Sequence, residues 1–497
     1  MKAIHILFIA AVLFISPSCK KFLAQYSQNQ TFIQSAADLD ELLIGSCYPL
    51  SGLWPEMLLL DDDLEQNPTI TQTSNLVSYP EFGIHYWQKD PALNRNGSLN
   101  PGYGSYEIFY KRFSTLNTIL FNIPSLREKN EPENALQRIA GEAHFLRAYY
   151  YFLLVNFYGK PYNISTANTD NGVPLKITPE VQTTPLKRAS VKEVYDQITS
   201  DLLDAEKELA GANETGVLRA NQAAVQALLC RVYLYREEYE KAVSVADKVL
   251  QKHYQLQDLN NWPASSPFLE RASAEIIFTS NATGNNMYRV MIDPAILLSQ
   301  YINNYRVSED LLGNYSTTDL RPGAFFKQLD EGDFITKKSG DDNKSDACDL
   351  AMIRLPELYL NKAEALAASG KNEEAIAAIQ ELRKKRFKPA DLTDLPFSGK
   401  QLIDFIRDER RRELCFELHR WFDLRRYAVN SRFPYEKSIR HRAFAFDGSG
   451  RYESGYYELK PYSQEPSAWL QPIPSKEIEF NKGAITNEPR PDRPLIP

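Results

Sequence analysis

Cysteine and histidine are scarce in this chain, with five Cys and six His among 497 residues. Cys19, Cys47, Cys230, Cys348 and Cys415 form no CxxC pair and have no His at metal-ligand spacing. That removes the usual grounds for a zinc site or a disulfide-built fold, and no metal or cofactor is expected. Beyond the first twenty residues no apolar run is long enough to cross a bilayer. No basic block occurs either: Lys and Arg total 57 against 64 Asp and Glu, for a net charge of −7. Nucleic-acid binding rests on Lys and Arg neutralising phosphates, so that partner is not expected, and attraction to anionic headgroups is disfavoured for the same reason. GxSxG, HExxH, P-loop and dinucleotide motifs are all missing, which argues against an enzyme. A glycoside hydrolase needs only two suitably placed carboxylates, and the acidic residues leave that class open.

The first residues, MKAIHILFIAAVLFISPSC, are an address rather than structure. Lys2 gives a positive start, 4–15 is apolar apart from His5, and small residues lead to Cys19. The layout is that of a secretory signal, and a cysteine directly after the apolar stretch resembles a bacterial lipoprotein signal. Residues 1–18 therefore read as the signal, and 19–35 as a lipidated Cys19 followed by a tether. Ser16-Pro17-Ser18 stands where such signals carry Leu-Ala/Ser-Gly/Ala, and Lys20 and Lys21 stand where surface lipoproteins often carry acidic residues. Acyl chains, each methylene contributing about 0.8 kcal/mol in the membrane, would hold a body that has no span of its own.

The body, 36–497, reads as one mainly α domain. In 138–158 Ile139, Ala143, Leu146, Tyr150, Leu153 and Phe157 recur at helical spacing while Phe145, Tyr149 and Phe152 fill a second face, so this helix should be buried almost all round. Gly159 and Pro161 stop it. Ser190 and Glu193 form a capping box for a second helix over 190–209. Helix pairs are expected at 221–236 with 238–251 and at 355–368 with 372–385. EYEKAVSVADKVL (238–250) and KNEEAIAAIQELR (371–383) share a pattern, each after a helix rich in Ala. They look like tetratricopeptide-type hairpins, in which small residues allow close helix approach. Three segments, 36–110, 281–349 and 433–467, lack sustained periodicity and are rich in polar residues and aromatics. Loops of such length inside a compact domain are usually functional or disordered, and the aromatic content argues against disorder.

Five blocks then resemble the SusD/RagB-like family of outer-membrane nutrient-binding lipoproteins: GEAHFLRAYYYFLLVNFYGKPY (141–162), IRLPELYLNKAEA (353–365), IRDERRRELCFELHRWFDLRRY (406–427), Thr318-Asp319-Leu320-Arg321 and LQPIPSKEIEFNKG (470–483). With the signal cysteine ahead of them they span nearly the whole chain. The resemblance implies four tetratricopeptide-like helix pairs on one side and irregular ligand-binding loops on the other. It also implies a TonB-dependent outer-membrane barrel of the SusC type as partner, to which oligosaccharides, or in some members peptides, are delivered from the cell surface.

Tyr86, Trp87, Tyr103, Tyr288 and Tyr305 fall in the irregular segments and are the candidate ligand contacts. Flat aromatic faces can stack on the C–H face of a sugar ring while nearby Asn and Asp read its hydroxyls. The arginines of 407–412 alternate with Glu409, Glu413 and Glu417, and read as an ion-pair lattice rather than an anion site. Asp61-Asp62-Asp63 and Asp341-Asp342-Asn343 lack the spacing of a calcium loop and read as solvated turns. If Cys19 carries the anchor, Cys19→Ala moves the protein from the membrane to the soluble fraction on ultracentrifugation; retention at the membrane would refute the lipid anchor.

Overall fold

The structure is a computed structural model and describes residues 33–48, 59–68, 81–99, 106–181, 183–212, 216–263, 267–280, 287, 291, 305–329, 332–340, 346–447 and 451–497. The long helices are α1 (Ala36–Ser46), α2 (Tyr106–Glu128), α3 (Glu133–Tyr158), α4 (Val191–Glu208), α5 (Gln222–Tyr235), α6 (Tyr239–Leu250), α7 (Leu355–Ala368), α8 (Asn372–Arg383), α9 (Gly399–Leu414) and α10 (Arg420–Ala428). The fold is mainly helical, as the periodicity requires. Helix α3 starts earlier than its apolar pattern, at Glu133, and is buried at nearly every position from Ile139 onward. Gly159 ends it in extended backbone. At Gly141 a Cβ would lie 2.5 Å from Cγ of Leu209, so the end of α4 packs this closely only because glycine stands there.

Local chemistry sets the other boundaries. Ser190 Oγ accepts from the Glu193 amide at 3.2 Å while the Glu193 carboxylate accepts from the Ser190 amide at 2.7 Å, completing the capping box of α4. Asn221 caps α5 by accepting from the Ala224 amide at 2.8 Å. The α5–α6 turn places Glu237 at φ +59° and the α7–α8 turn places Gly370 at φ +81°. Ala223, Ala224, Ala227, Ala363, Ala365 and Ala367 are all buried, which is what close packing of these hairpins needs.

Helix α1 packs on α2 and α3, and from α2 each helix packs on the next as far as α8; α7 also carries α9. The two similar hairpins, far apart in the chain, are thus neighbours in space through α6 and α7. Arg410 of α9 donates to Asp423 of α10 at 2.7 Å, which ties these two helices together. Among the described residues the remainder is short helical turns and irregular backbone with four antiparallel two-stranded sheets: β1 (Leu64–Gln66) with β3 (Tyr305–Val307), β2 (Ile276–Phe278) with β6 (Ile353–Arg354), β4 (Phe326–Gln328) with β5 (Phe334–Thr336), and β7 (Ile439–Phe446) with β8 (Arg451–Leu459). The last corrects the irregular reading of 433–467. Its register shifts beside Ala443, where Gly455 at φ +134° approaches the Ile496 carbonyl too closely to carry a Cβ.

Helix α9 is buried although it is built largely from charge. Arg354 bridges Glu413 (2.6 Å), Glu275 (2.9 Å) and Glu417 (2.7 Å). Arg386 bridges Glu413 (2.9 Å) and Glu275 (3.1 Å), and Arg321 joins Asp319 (2.6 Å) to Glu409 (2.7 Å). Lys338 pairs with Glu417 and donates to the carbonyls of Glu413 (2.9 Å) and Cys415 (3.1 Å). On another face, Arg407 and Arg426 hold Glu364, and Arg411 holds Asp63. The arginine-rich segment is therefore the lattice its alternating signs announced. Burial alone would raise Glu409, but Arg321 and Arg412 outweigh it and hold the carboxyl at about 2. Glu364 stands at about 2 for the same reason, with Arg426 as the leading cation.

Removing one member of a filled buried lattice strands the others, at about 3–5 kcal/mol. Arg354→Met should lower unfolding free energy by about that amount in urea titrations at pH 7. Because Glu409 and Glu364 are depressed, their contribution is complete above the unfolded carboxylate range near 4.5 and is lost as pH falls through about 2. A wild-type stability flat between pH 5 and pH 2 would contradict this account.

Candidate functional site

Three of the five candidate aromatics come together, but facing inward. Residues 59–63, the one-turn helix Phe82–His85 and strand β7 meet at two stacked imidazoles, His85 and His441, with ring centres 4.0 Å apart. His441 Nδ1 lies 2.8 Å from the His85 carbonyl and Nε2 lies 2.9 Å from that of Asp61, while His85 Nδ1 lies 3.0 Å from the Leu59 carbonyl. Trp87 stacks on His441 at 4.3 Å and donates its indole N–H to the Leu60 carbonyl at 3.0 Å. The Tyr86 hydroxyl sits between Gln66 Oε1 (2.9 Å) and the Arg442 carbonyl (3.0 Å), and its ring meets Tyr457. Tyr305, on β3, points its edge at His85. Burial lowers His441 to about 4, against the two carbonyls that favour its charged form, and holds His85 well below its ordinary value.

Tyr86, Trp87 and Tyr305 are only 2%, 1% and 2% exposed. Their faces pack on one another's neighbours and leave no open surface for a sugar ring in this structure. The expectation took polar, aperiodic sequence for surface loop, whereas short strand pairs fold these rings into the core, where each large aromatic contributes far more by burial than at the surface. Cys19, Tyr103 and Tyr288 lie outside the described residues, as does Asp341-Asp342-Asn343.

Asp61-Asp62-Asp63 is likewise not a solvated turn. All three are buried. Asp62 is held by Arg420 (2.7 Å) and Lys437 (2.6 Å), and Asp63 by Arg411 (2.7 Å). With these cations seated on the carboxylates, the cluster is suited to joining α9, α10 and the segment that leads into β7 rather than to ligating an ion. His144, Asp201 and Asp204 form a second acidic group, in which Arg147 takes both oxygens of Asp201.

An open concavity lies elsewhere, in a cavity of about 450 Å³ between the start of α2, residues 174–181 with 183–186, and the one-turn helix Ser475–Phe480. Tyr106 donates to the Tyr110 hydroxyl at 3.2 Å, which donates to the Pro174 carbonyl at 2.8 Å. Asn117 of α2 donates to the carbonyls of Lys176 (2.9 Å) and Thr178 (3.2 Å), pinning this wall at 176 and 178. The Lys176 ammonium is turned back onto the carbonyls of Thr178 and Glu180. Asn481 fixes the opposite wall by accepting from the Leu186 amide at 2.9 Å. Val181 and Phe480 stand at the mouth, 90% and 79% exposed. Sequence reasoning missed this place. The outward Phe480 in an otherwise charged SKEIEF turn was the available signal.

The fold is found in solved structures of the SusD superfamily. A SusD superfamily protein from Bacteroides thetaiotaomicron superposes with a TM-score of 0.70 at 23% identity, covering 92% of this chain and 100% of that one. A SusD-like carbohydrate binding protein from Bacteroides vulgatus does so with a TM-score of 0.64 at 19% identity, covering 90% and 97%. In sequence, SusD-like protein P2 of Formosa agariphila is 22% identical over 93% of this chain and 94% of its own length, and SusD-like protein P38 of the same organism is 24% identical over 66% and 74%. Residues 327–489 match the SusD family, and residues 22–234 match the family described as starch-binding associating with outer membrane. The chain belongs to the SusD/RagB-like family.

If Trp87 is frame rather than ligand contact, Trp87→Phe should cost about 1–2 kcal/mol through the lost Leu60 hydrogen bond, seen as a lower urea midpoint. Glycan affinity should not change. Unaltered stability with lost affinity would return Trp87 to the binding surface.

Proposed function

We propose that the protein is an outer-membrane, cell-surface lipoprotein that captures oligosaccharides without turning them over and hands them to a TonB-dependent SusC-type barrel. In this reading the signal is 1–18, Cys19 bears the lipid, 19–35 is the tether and 36–497 is one binding domain. The observation that carries it is the match of residues 22–234 to a family described as starch-binding and outer-membrane-associated. The shared fold of the Bacteroides vulgatus carbohydrate binding protein supports it further.

The physical division of labour agrees with capture. A frame locked by buried ion pairs resists deformation, so specificity can reside in the segments it carries. The carboxylates of Glu364, Glu413 and Asp62 are each held by arginine, which suits them to structure rather than proton transfer. Tyr103 and Tyr288 remain the proposed aromatic contacts of the aperiodic segments.

Isothermal titration of the purified protein against oligosaccharides and oligopeptides tests the reading. Saturable heat with at least one oligosaccharide is expected, with no new reducing ends, and Tyr103→Ala or Tyr288→Ala should weaken it about tenfold. Sugar release would favour a hydrolase, heat with peptides alone a peptide binder, and no heat from any ligand would remove the capture role.

A further inference from the structure

We propose that the cavity under Phe480 and Val181 is a second sugar-binding site, shaped for a short stretch of neutral, hydroxyl-rich glycan. The inference rests on the carbohydrate reading above but uses none of the residues named there. A volume of about 450 Å³ lies within the range of pockets that hold small ligands, enough for a short oligosaccharide.

The mouth offers what a sugar ring stacks on. Phe480 exposes 79% of its surface and Val181 90%, although apolar side chains of this size are ordinarily drawn inward. Neither is on a loose element: the turn bearing Phe480 is tied to residue 186 through Asn481, and the wall bearing Val181 is tied to α2 through Asn117. A flat aromatic face held at the rim of a concave site suits the C–H face of a pyranose.

The interior offers partners for hydroxyls. Ser114, Thr183 and Thr184 line the cavity together with Glu477. The Glu477 carboxylate is half-buried and makes no hydrogen bond or ion pair with the described residues. Burial raises its pKa, with Lys476 pulling the other way, and the described residues leave its oxygens open to donors. Hydroxyl groups of a ligand would supply them.

The alternatives fit less well. An anion would meet Glu477 and Glu180, and of the two lysines on the lining, Lys176 and Lys482, the Lys176 ammonium is already committed to two carbonyls. A wholly apolar occupant would remove Glu477 further from water with no compensating bond. A cationic ligand would find Lys482 on the same lining.

The test titrates the full chain with maltotriose, cellotriose and xylotriose, and with Ala-Ala-Ala and Lys-Ala-Lys, comparing wild type with Phe480→Ala and Glu477→Ala. Both positions are at the surface or half-buried, so unchanged thermal melts are expected and keep the comparison clean. Each substitution should weaken trisaccharide binding about fivefold to tenfold. A Tyr103→Ala/Tyr288→Ala double variant should retain this binding, and adding Phe480→Ala to it should weaken what remains by the same fivefold to tenfold. Trisaccharide binding that neither cavity substitution alters would overturn this site and leave the capture function intact. No trisaccharide binding by wild type would overturn both. Tripeptide binding that Phe480→Ala removes would refute the sugar assignment.

Discussion

The rest of the molecule is arranged around the carboxylate of Glu413. Arg354, Arg386 and Arg321 converge on it from three different parts of the chain, and Glu275, Glu417 and Glu409 complete their coordination. Each of these side chains is almost fully buried. Bringing so many charges out of water is costly, and the cost is offset only when every member finds a partner in good geometry. Such a set has few alternative arrangements. It therefore fixes how α9, β2, β6 and the segment around Arg321 sit together more sharply than interchangeable apolar contacts would.

That rigidity passes outward. Arg411, two residues from Glu413 and so on the other side of α9, holds Asp63, and Arg420 and Lys437 hold its neighbour Asp62. The next residue back, Asp61, offers its carbonyl to His441, whose ring stacks between His85 and Trp87. From the helical row to the base of the aperiodic segments there is thus a continuous chain of ion pairs, hydrogen bonds and stacked rings. The helix row supplies stiffness, and this chain transmits it to the irregular side. A binding surface carried on such a base loses little conformational entropy when it meets a ligand.

The helical half was legible because helices announce themselves locally. The apolar double face of 138–158, the Ser190–Glu193 box and the Gly370 turn each depend on residues a few positions apart, and each is present as read. The lattice in 407–417 was also legible, since opposite charges at three- and four-residue spacing signal pairing whatever the partners. What was not legible depended on distant contacts. Asp61-Asp62-Asp63 reads as a solvated turn because nothing nearby reveals Arg411, Arg420 and Lys437, more than three hundred residues on. The β7–β8 hairpin hid behind a register shift that interrupts its alternation, and the burial of Tyr86, Trp87 and Tyr305 depends on pairings such as β1 with β3. The adjacency of the two similar hairpins was invisible for the same reason.

Aromatic richness is consequently a poor guide to recognition in this chain. Phe113 stacks on Tyr151, Trp421 on Trp469, and Tyr150 and Tyr195 are wholly buried. Rings such as these stabilise a large helical interior whatever the protein binds. What bears on ligand choice is the small set of apolar faces that the fold leaves in water on anchored backbone. Phe480 satisfies both conditions, because its turn is hydrogen-bonded to the opposite wall while its ring is not packed away, and unlike the exposed Phe121 of α2 it also lines a cavity. Exposure combined with anchoring, rather than composition, is the physical criterion that separates a binding ring from a packing ring.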